Sequence, residues 1–176
     1  MNTFERSGAP ILREDLVALL AGSWKRVREH FVEGPGAKWA THYDINKPLA
    51  VALCQGAAMH YHDKVNGVKD FDVWFLYPFN VRHLPYRTIR HWDYKNSNFG
   101  RHPDFKGYEG RKVDVIVRSV KNYDESDPKR SFLRFLQSEG TESARLLGKK
   151  AVVLLEPPQR VGEVIWYKAP LDTSAA

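Results

Sequence analysis

The feature that most constrains this chain is a set of carboxylates inside strongly apolar, strand-like segments. The segments 69–77 and 112–117 consist largely of β-branched and aromatic residues, which predicts a β-strand for each. Asp70 and Asp72 are two positions apart on the first, so their side chains project to the same side of the sheet. Asp114 interrupts the second, where an unpaired charge is costly to bury. Three carboxylates gathered at one sheet edge would supply the oxygen ligands that Mg²⁺ prefers.

The segment upstream of the acidic pair predicts a phosphate-binding turn. Leu49 to Cys54 is a short apolar strand, a glycine-containing turn follows at 55–58, and a helix is expected from Ala58 to Asp63 or Lys64. Glycine lets the backbone approach a phosphate, and a helix N-terminus offers N–H groups to it. A second interpretation stays open, because an Asp-x-Asp pair is often only the solvated face of an amphipathic strand.

These residues resemble the signature of the nucleotidyltransferases of the DNA polymerase beta superfamily. That signature is an apolar residue, a glycine and a small residue, a spacer of about one helix, an Asp-x-Asp pair and a third Asp on a later strand. Here Gly56-Ala57 matches the glycine pair, Asp70 and Asp72 match the acidic pair, and Asp114 matches the third acid. The sequence around Gly56 is most similar to small bacterial members, including abortive-infection and toxin-type enzymes of toxin–antitoxin systems. The resemblance covers about residues 48–156.

The resemblance implies transfer of an NMP from an NTP, such as ATP, to an acceptor hydroxyl, with release of pyrophosphate. It implies that the three Asp residues are catalytic and hold Mg²⁺ or Mn²⁺. The expected nucleotide-binding residues lie in the turn and just before the acidic strand: Gln55, Gly56, Ala57 and Lys69. The family usually has Gly or Ser at the position of Ala57, which has no hydroxyl. Triphosphate binding would therefore depend on backbone amides and on Lys or Arg.

The order of helical and strand-like segments predicts an α/β (α+β) domain with a mixed β-sheet flanked by helices. One domain is expected over residues 1–176, with an N-terminal helix at 13–32 and a core at about 48–156. A basic, aromatic-rich insertion is expected at about 80–110, and a tail at 168–176. Later helices are expected to start after Asp127 and after Thr141, a possible N-cap.

The insertion carries basic residues interleaved with aromatic ones in a chain of net charge +6. Such a mixture suits a surface that contacts phosphates and stacks bases, so RNA or DNA is a candidate acceptor. The candidate nucleic-acid contacts are Arg82, Arg87, Arg90, Trp92, Tyr94 and Arg101. A second interpretation stays open: the aromatic side chains pack on the body of the domain and the arginines are solvated.

Two other functional classes remain open. One is a catalytically silent nucleotidyltransferase-like protein that binds nucleic acid or a partner protein. The other, ranked lower, is a metal-dependent nuclease, which normally carries a lysine two residues after an acid on its second strand, where this chain has Ile116. The small size favours a homo-oligomer or a partner subunit. The single Cys54 is expected to be a packing residue, and the lack of an apolar span predicts a cytoplasmic protein without membrane partners.

Overall fold

A computed structural model describes residues 6–80, 82–84, 87–138 and 140–168. The helices are α1 (Arg13–Val32), α2 (Gln55–Asp63), α3 (Pro128–Gln137) and α4 (Glu142–Gly148). The strands are β1 (Ala50–Cys54), β2 (Phe71–Pro78), β3 (Arg87–Tyr94), β4 (Arg111–Val120), β5 (Ala151–Glu156) and β6 (Val164–Tyr167). Apart from Lys168, the predicted tail lies outside the described residues.

The six strands form one sheet in the order β3-β4-β2-β1-β5-β6. Strands β2 and β4 pair in parallel, and the other neighbouring pairs are antiparallel. The sheet is therefore mixed and flanked by helices, which confirms the α+β class predicted from the sequence. The first helix has the predicted bounds, and Asp127 and Thr141 accept backbone hydrogen bonds as the N-caps of α3 and α4.

Both faces of the sheet are covered. On the first face, α1 and α2 bury a cluster that includes Leu16, Phe31 and alternate residues of the four central strands. On the second face, α3 and α4 bury the intervening residues, with Phe132 and Leu147 among them. Because side chains alternate across a strand, the strands are apolar on both sides and read as nearly continuous hydrophobic runs. Cys54 is fully buried in the second core, which confirms its packing role.

Two predicted boundaries were wrong. Helix α2 begins at Gln55 and not at Ala58, because Gln55 itself makes the sharp turn with a φ of 65° and no separate glycine turn is needed. Strand β2 begins at Phe71, so Asp70 precedes it. Within the predicted insertion, Arg87–Tyr94 forms the edge strand β3 and pairs with β4. Among the described residues, no helix is both long and apolar enough to cross a membrane.

Candidate functional site

Asp72 and Asp114 are direct partners on adjacent parallel strands. The register of β2 on β4 places Asp72 opposite Asp114 and Trp74 opposite Ile116. Neighbouring strands lie about 5 Å apart, so paired residues of a parallel ladder present their side chains side by side on one face. Asp70 precedes Asp72 by two residues, just before β2 begins. The structure thus brings the acids together at the starts of two interior strands and not on an edge strand.

Electrostatic repulsion accompanies this placement. Burial first, and then the carboxylates of Asp70 and Asp114, together raise the pKa of Asp72 from 3.8 to about 7. One cation partly offsets the negative charge, since Lys112 Nζ lies 2.8 Å from Asp114 Oδ2. That ion pair is mostly buried, because the Asp114 side chain is only 15% exposed. Asp72 remains a carboxyl group whose ionisation opposes folding.

The acidic pair opens into a cleft of about 360 Å³ on the second face of the sheet. Its lining combines acids, cations, the start of α2 and an apolar wall: Arg6, Gln55, Gly56, Ala57, Lys69, Asp70, Asp72, Trp74, Thr88, Ile116, Leu146 and Lys150. All seven predicted catalytic or nucleotide-binding residues except Asp114 are in this lining. Asp114 is paired with Lys112 beside Asp72.

The turn from β1 into α2 forms one wall of the cleft. Gln55 has a left-handed φ of 65°, which is unusual for a residue with a side chain and concentrates at functional sites. Asn66 Nδ2 donates to the carbonyl of Gly56 at 2.9 Å, and a Cβ at Gly56 would lie 3.2 Å from that nitrogen and 3.5 Å from Arg6 Nη1. Glycine therefore keeps this wall open. Ala57 is only 3% exposed and its methyl packs in the first core, so its contribution to the cleft comes from the backbone.

Lys69 lines the cleft but is held by an acid. Its Nζ lies 2.7 Å from Asp104 Oδ2, and its backbone carbonyl accepts a hydrogen bond from Arg111 Nη1 at 3.3 Å. Arg111 is 5% exposed and also donates to the carbonyl of Phe99 at 2.7 Å. This arginine joins the start of β2 to the loop after β3. The predicted phosphate contact of Lys69 would have to compete with the Asp104 carboxylate.

Three cations of the site were missed in the sequence analysis: Arg6, Lys112 and Lys150. Lys112 had a usable signal, because it is two residues before Asp114 on a strand and must share its face. Lys150 comes from the start of β5, and Arg6 from the segment before α1. No local pattern indicates that these two approach the acidic strand, since only tertiary packing places them there.

The predicted nucleic-acid residues fall into two groups. Trp92 and Tyr94 pack against α1: a Cβ at Gly22 would lie 2.4 Å from the Trp92 ring, and the Tyr94 hydroxyl donates to Asp15 Oδ1 at 2.6 Å. These two aromatic side chains therefore follow the packing interpretation. The four arginines of the set are exposed: Arg82, Arg87, Arg90 and Arg101.

Carboxylate oxygens are suitable ligands for Mg²⁺, and a divalent cation would offset the repulsion by Asp70 and Asp114 that, after burial, raises the pKa of Asp72. The donor set of Asp70, Asp72 and Asp114 therefore fits a hard cation in chemical type. As the described side chains are arranged, no group of three or more His, Cys, Asp or Glu residues is close enough to hold a metal ion. No family model, curated protein or solved structure matches the chain.

Proposed function

We propose that this protein is a metal-dependent nucleotidyltransferase that transfers an NMP from an NTP to an acceptor hydroxyl. The observation that carries the proposal is the position of Asp72, between Asp70 along the chain and Asp114 across the parallel pair, in a cleft that also contains the start of α2. The three elements that resemble the family signature are distant in sequence. Their meeting in one place supports the proposal.

The electrostatic cost of the acidic group also supports a functional role. A packing role would favour an apolar residue at Asp72, because Trp74 and Leu76 on the same face of β2, and Cys54 opposite it on β1, are buried and apolar. A carboxyl group whose pKa is raised by burial and by two other acids is typical of a site that binds a cation or moves a proton. The chain keeps this group at the expense of folding stability.

Each wall of the cleft has a role in this proposal. Asp70, Asp72 and Asp114 would hold Mg²⁺ or Mn²⁺, which when bound would neutralise the leaving pyrophosphate and lower the pKa of the acceptor hydroxyl. The backbone N–H groups at the start of α2 would face a phosphate bound in the cleft, and the N-cap residue Cys54 makes no side-chain cap hydrogen bond. Arg6 and Lys150 add positive charge to the same cleft. The adjoining apolar wall excludes water.

The first experiment is calorimetric titration of ATP, GTP, CTP and UTP in the presence of Mg²⁺ or Mn²⁺. The wild type is compared with the double variant Asp70→Asn/Asp72→Asn, and Glu125→Gln serves as an exposed carboxylate control. We expect metal-dependent binding of at least one NTP, retained in the control and lost in the double variant. A folded wild type that binds none of the four would contradict the proposal.

A catalytically silent protein is the second candidate, and one observation favours it. Lys112 already neutralises Asp114 at 2.8 Å, and Lys69 is paired with Asp104, so two cations near the site are engaged by acids. Such a protein would use exposed arginines such as Arg87 and Arg90 to bind nucleic acid, or would bind a partner subunit. Binding of a single-stranded oligonucleotide without divalent metal, weakened by Arg87→Gln/Arg90→Gln, would favour this candidate over the enzyme.

A further inference from the structure

Arg118 is a buried cation that has no acidic partner among the described residues. It is on β4, is 8% exposed, and packs its guanidinium over the Phe135 ring with Cζ 5.3 Å from the ring centroid. Its Nη1 donates to Ser143 Oγ at 2.6 Å, whereas its buried Nε has no hydrogen-bond partner in the described part of the chain. None of the ion pairs formed by the described residues includes Arg118.

The space beside Arg118 is a cavity of about 440 Å³. It is separate from the acidic cleft, and the two linings have no residue in common. Besides Arg118, the described residues of its lining include three basic side chains and three hydroxyl groups and no acid: His83, Arg118, Ser119, Val120, Lys121, Asn122, Arg134, Phe135, Ser138 and Thr141. The side chains of Lys121 and Arg134 are exposed at the surface, whereas Arg118 is buried.

A structural role does not account for this arrangement. Burial of a guanidinium is costly unless an opposite charge and hydrogen bonds compensate for it, and here one serine hydroxyl and one ring do so. Burial lowers the pKa of Arg118. Burial also lowers the pKa of His83, and the nearby cations Arg118 and Lys121 contribute to the same shift. The described lining is therefore electropositive, and Arg118 has a donor, Nε, that the described residues leave unused.

We propose that this cavity binds a phosphate group, with Arg118 at its base and Lys121 and Arg134 at its rim. Arginine suits this role because its planar fork of donors matches phosphate oxygens. The phosphate is that of a small ligand or of an RNA strand, and the test below separates the two sources. The proposal does not depend on nucleotidyl transfer, because it uses none of the acidic residues.

The test is calorimetric titration of the full chain in EDTA, which removes any divalent metal that the acidic cleft would need. The probes are inorganic pyrophosphate and a single-stranded oligoribonucleotide without a terminal phosphate. The variants are Arg134→Gln and Lys121→Gln at the exposed rim and Arg118→Met at the base. Arg130→Gln is the matched control, since Arg130 is exposed on the same helix as Arg134 but does not line the cavity.

We expect at least one probe to bind and each rim variant to weaken it about tenfold, because a hydrogen bond to a charged group contributes about that factor. Arg118→Met should abolish binding, and the probe should raise the Tm of the wild type but not of this variant. Pyrophosphate binding identifies a small ligand, and binding of the oligoribonucleotide alone identifies a strand. Binding of neither probe, or equal loss in Arg130→Gln, would overturn the proposal.

If Arg118→Met does not fold, the rim variants decide the question, because their side chains are exposed. Unchanged affinity in both Arg134→Gln and Lys121→Gln would then contradict the proposal. Failure of this test leaves the NTP titration with Mg²⁺ unaffected, because that titration depends on Asp70 and Asp72. The two proposals therefore fail independently.

Discussion

Replacement of Asp72 by Asn should stabilise the protein at alkaline pH and have much less effect at acidic pH. Asn has nearly the same shape as Asp but cannot ionise. The pKa of Asp72 rises from an ordinary value of 3.8 to about 7 through burial and through Asp70 and Asp114. The neutral carboxyl makes a favourable contribution to the free energy of unfolding. This contribution is fully present below about pH 4 and is lost as the pH rises through about 7.

The magnitude follows from the two pKa values. The full loss is about 4 kcal/mol, because each pKa unit corresponds to about 1.4 kcal/mol. About 2.5 kcal/mol of it falls between pH 5 and pH 8, since about 2 pH units of the interval from 3.8 to 7 lie above pH 5. Any fixed cost of burying the Asn amide is the same at both pH values and cancels in the difference.

The assay is urea unfolding followed by circular dichroism at pH 5 and pH 8, for the wild type, Asp72→Asn and the exposed control Glu125→Gln. We expect the stability of Asp72→Asn relative to wild type to improve by about 2.5 kcal/mol from pH 5 to pH 8, with no such change for the control. An identical pH dependence in wild type and Asp72→Asn would refute the reasoning, because it would mean that Asp72 ionises as freely in the folded protein as in the unfolded one.

Three further predictions concern the metal, the β3 edge and a helix cap. At pH 8, Mg²⁺ should raise the Tm of the wild type but not of Asp72→Asn, measured by thermal unfolding; equal shifts would exclude Asp72 as a ligand. Gly22→Ala should cost about 1–3 kcal/mol in urea unfolding and alter tryptophan fluorescence, because the new methyl overlaps the Trp92 ring, whereas Gly8→Ala has open space. Asp127→Ala should cost about 1 kcal/mol through loss of the α3 cap, which Asp127→Ser should retain; equal losses would contradict it.

The sequence predicted the individual helices and strands better than the contacts between them. Helix α1 and the strands around Asp72 and Asp114 follow from local periodicity and residue type. The register that sets Asp72 opposite Asp114 depends on parallel pairing of segments that are far apart in the chain, so no local pattern contains it. The start of α2 was misplaced because a non-glycine residue, Gln55, adopts the left-handed conformation that the prediction reserved for a glycine turn.

The aromatic residues of the insertion show a similar limit. Because side chains alternate along a strand, Trp92 and Tyr94 lie on the same face of β3. The sequence alone does not say whether α1 or a ligand covers that face. The structure places α1 there, with the Tyr94 hydroxyl bonded to Asp15. Residues such as Lys150 were missed for the same reason, since they enter the site from a strand whose position in the sheet is fixed by long-range packing.

One face of β4 carries two charges of opposite sign that the fold keeps apart: Asp114, which is paired with Lys112, and the buried Arg118. Asp114 and Arg118 are separated by four residues with Ile116 between them, which is about 13 Å along a strand. At that distance two unit charges attract by about 1 kcal/mol, against about 4 kcal/mol for a contact pair near a protein surface. A contact pair is available to this strand, as Lys112 and Asp114 show.

Stability alone would favour a second such pair and not a buried arginine with one serine partner. The separation is better explained if each charge serves a different ligand: a cation beside Asp72 and Asp114, and a phosphate beside Arg118. The double variant Asp72→Asn/Arg118→Met removes both charges. It should then lose both kinds of binding, while its free energy of unfolding at pH 8 is at least that of the wild type. A double variant less stable than wild type at pH 8 would show that the charges support the fold.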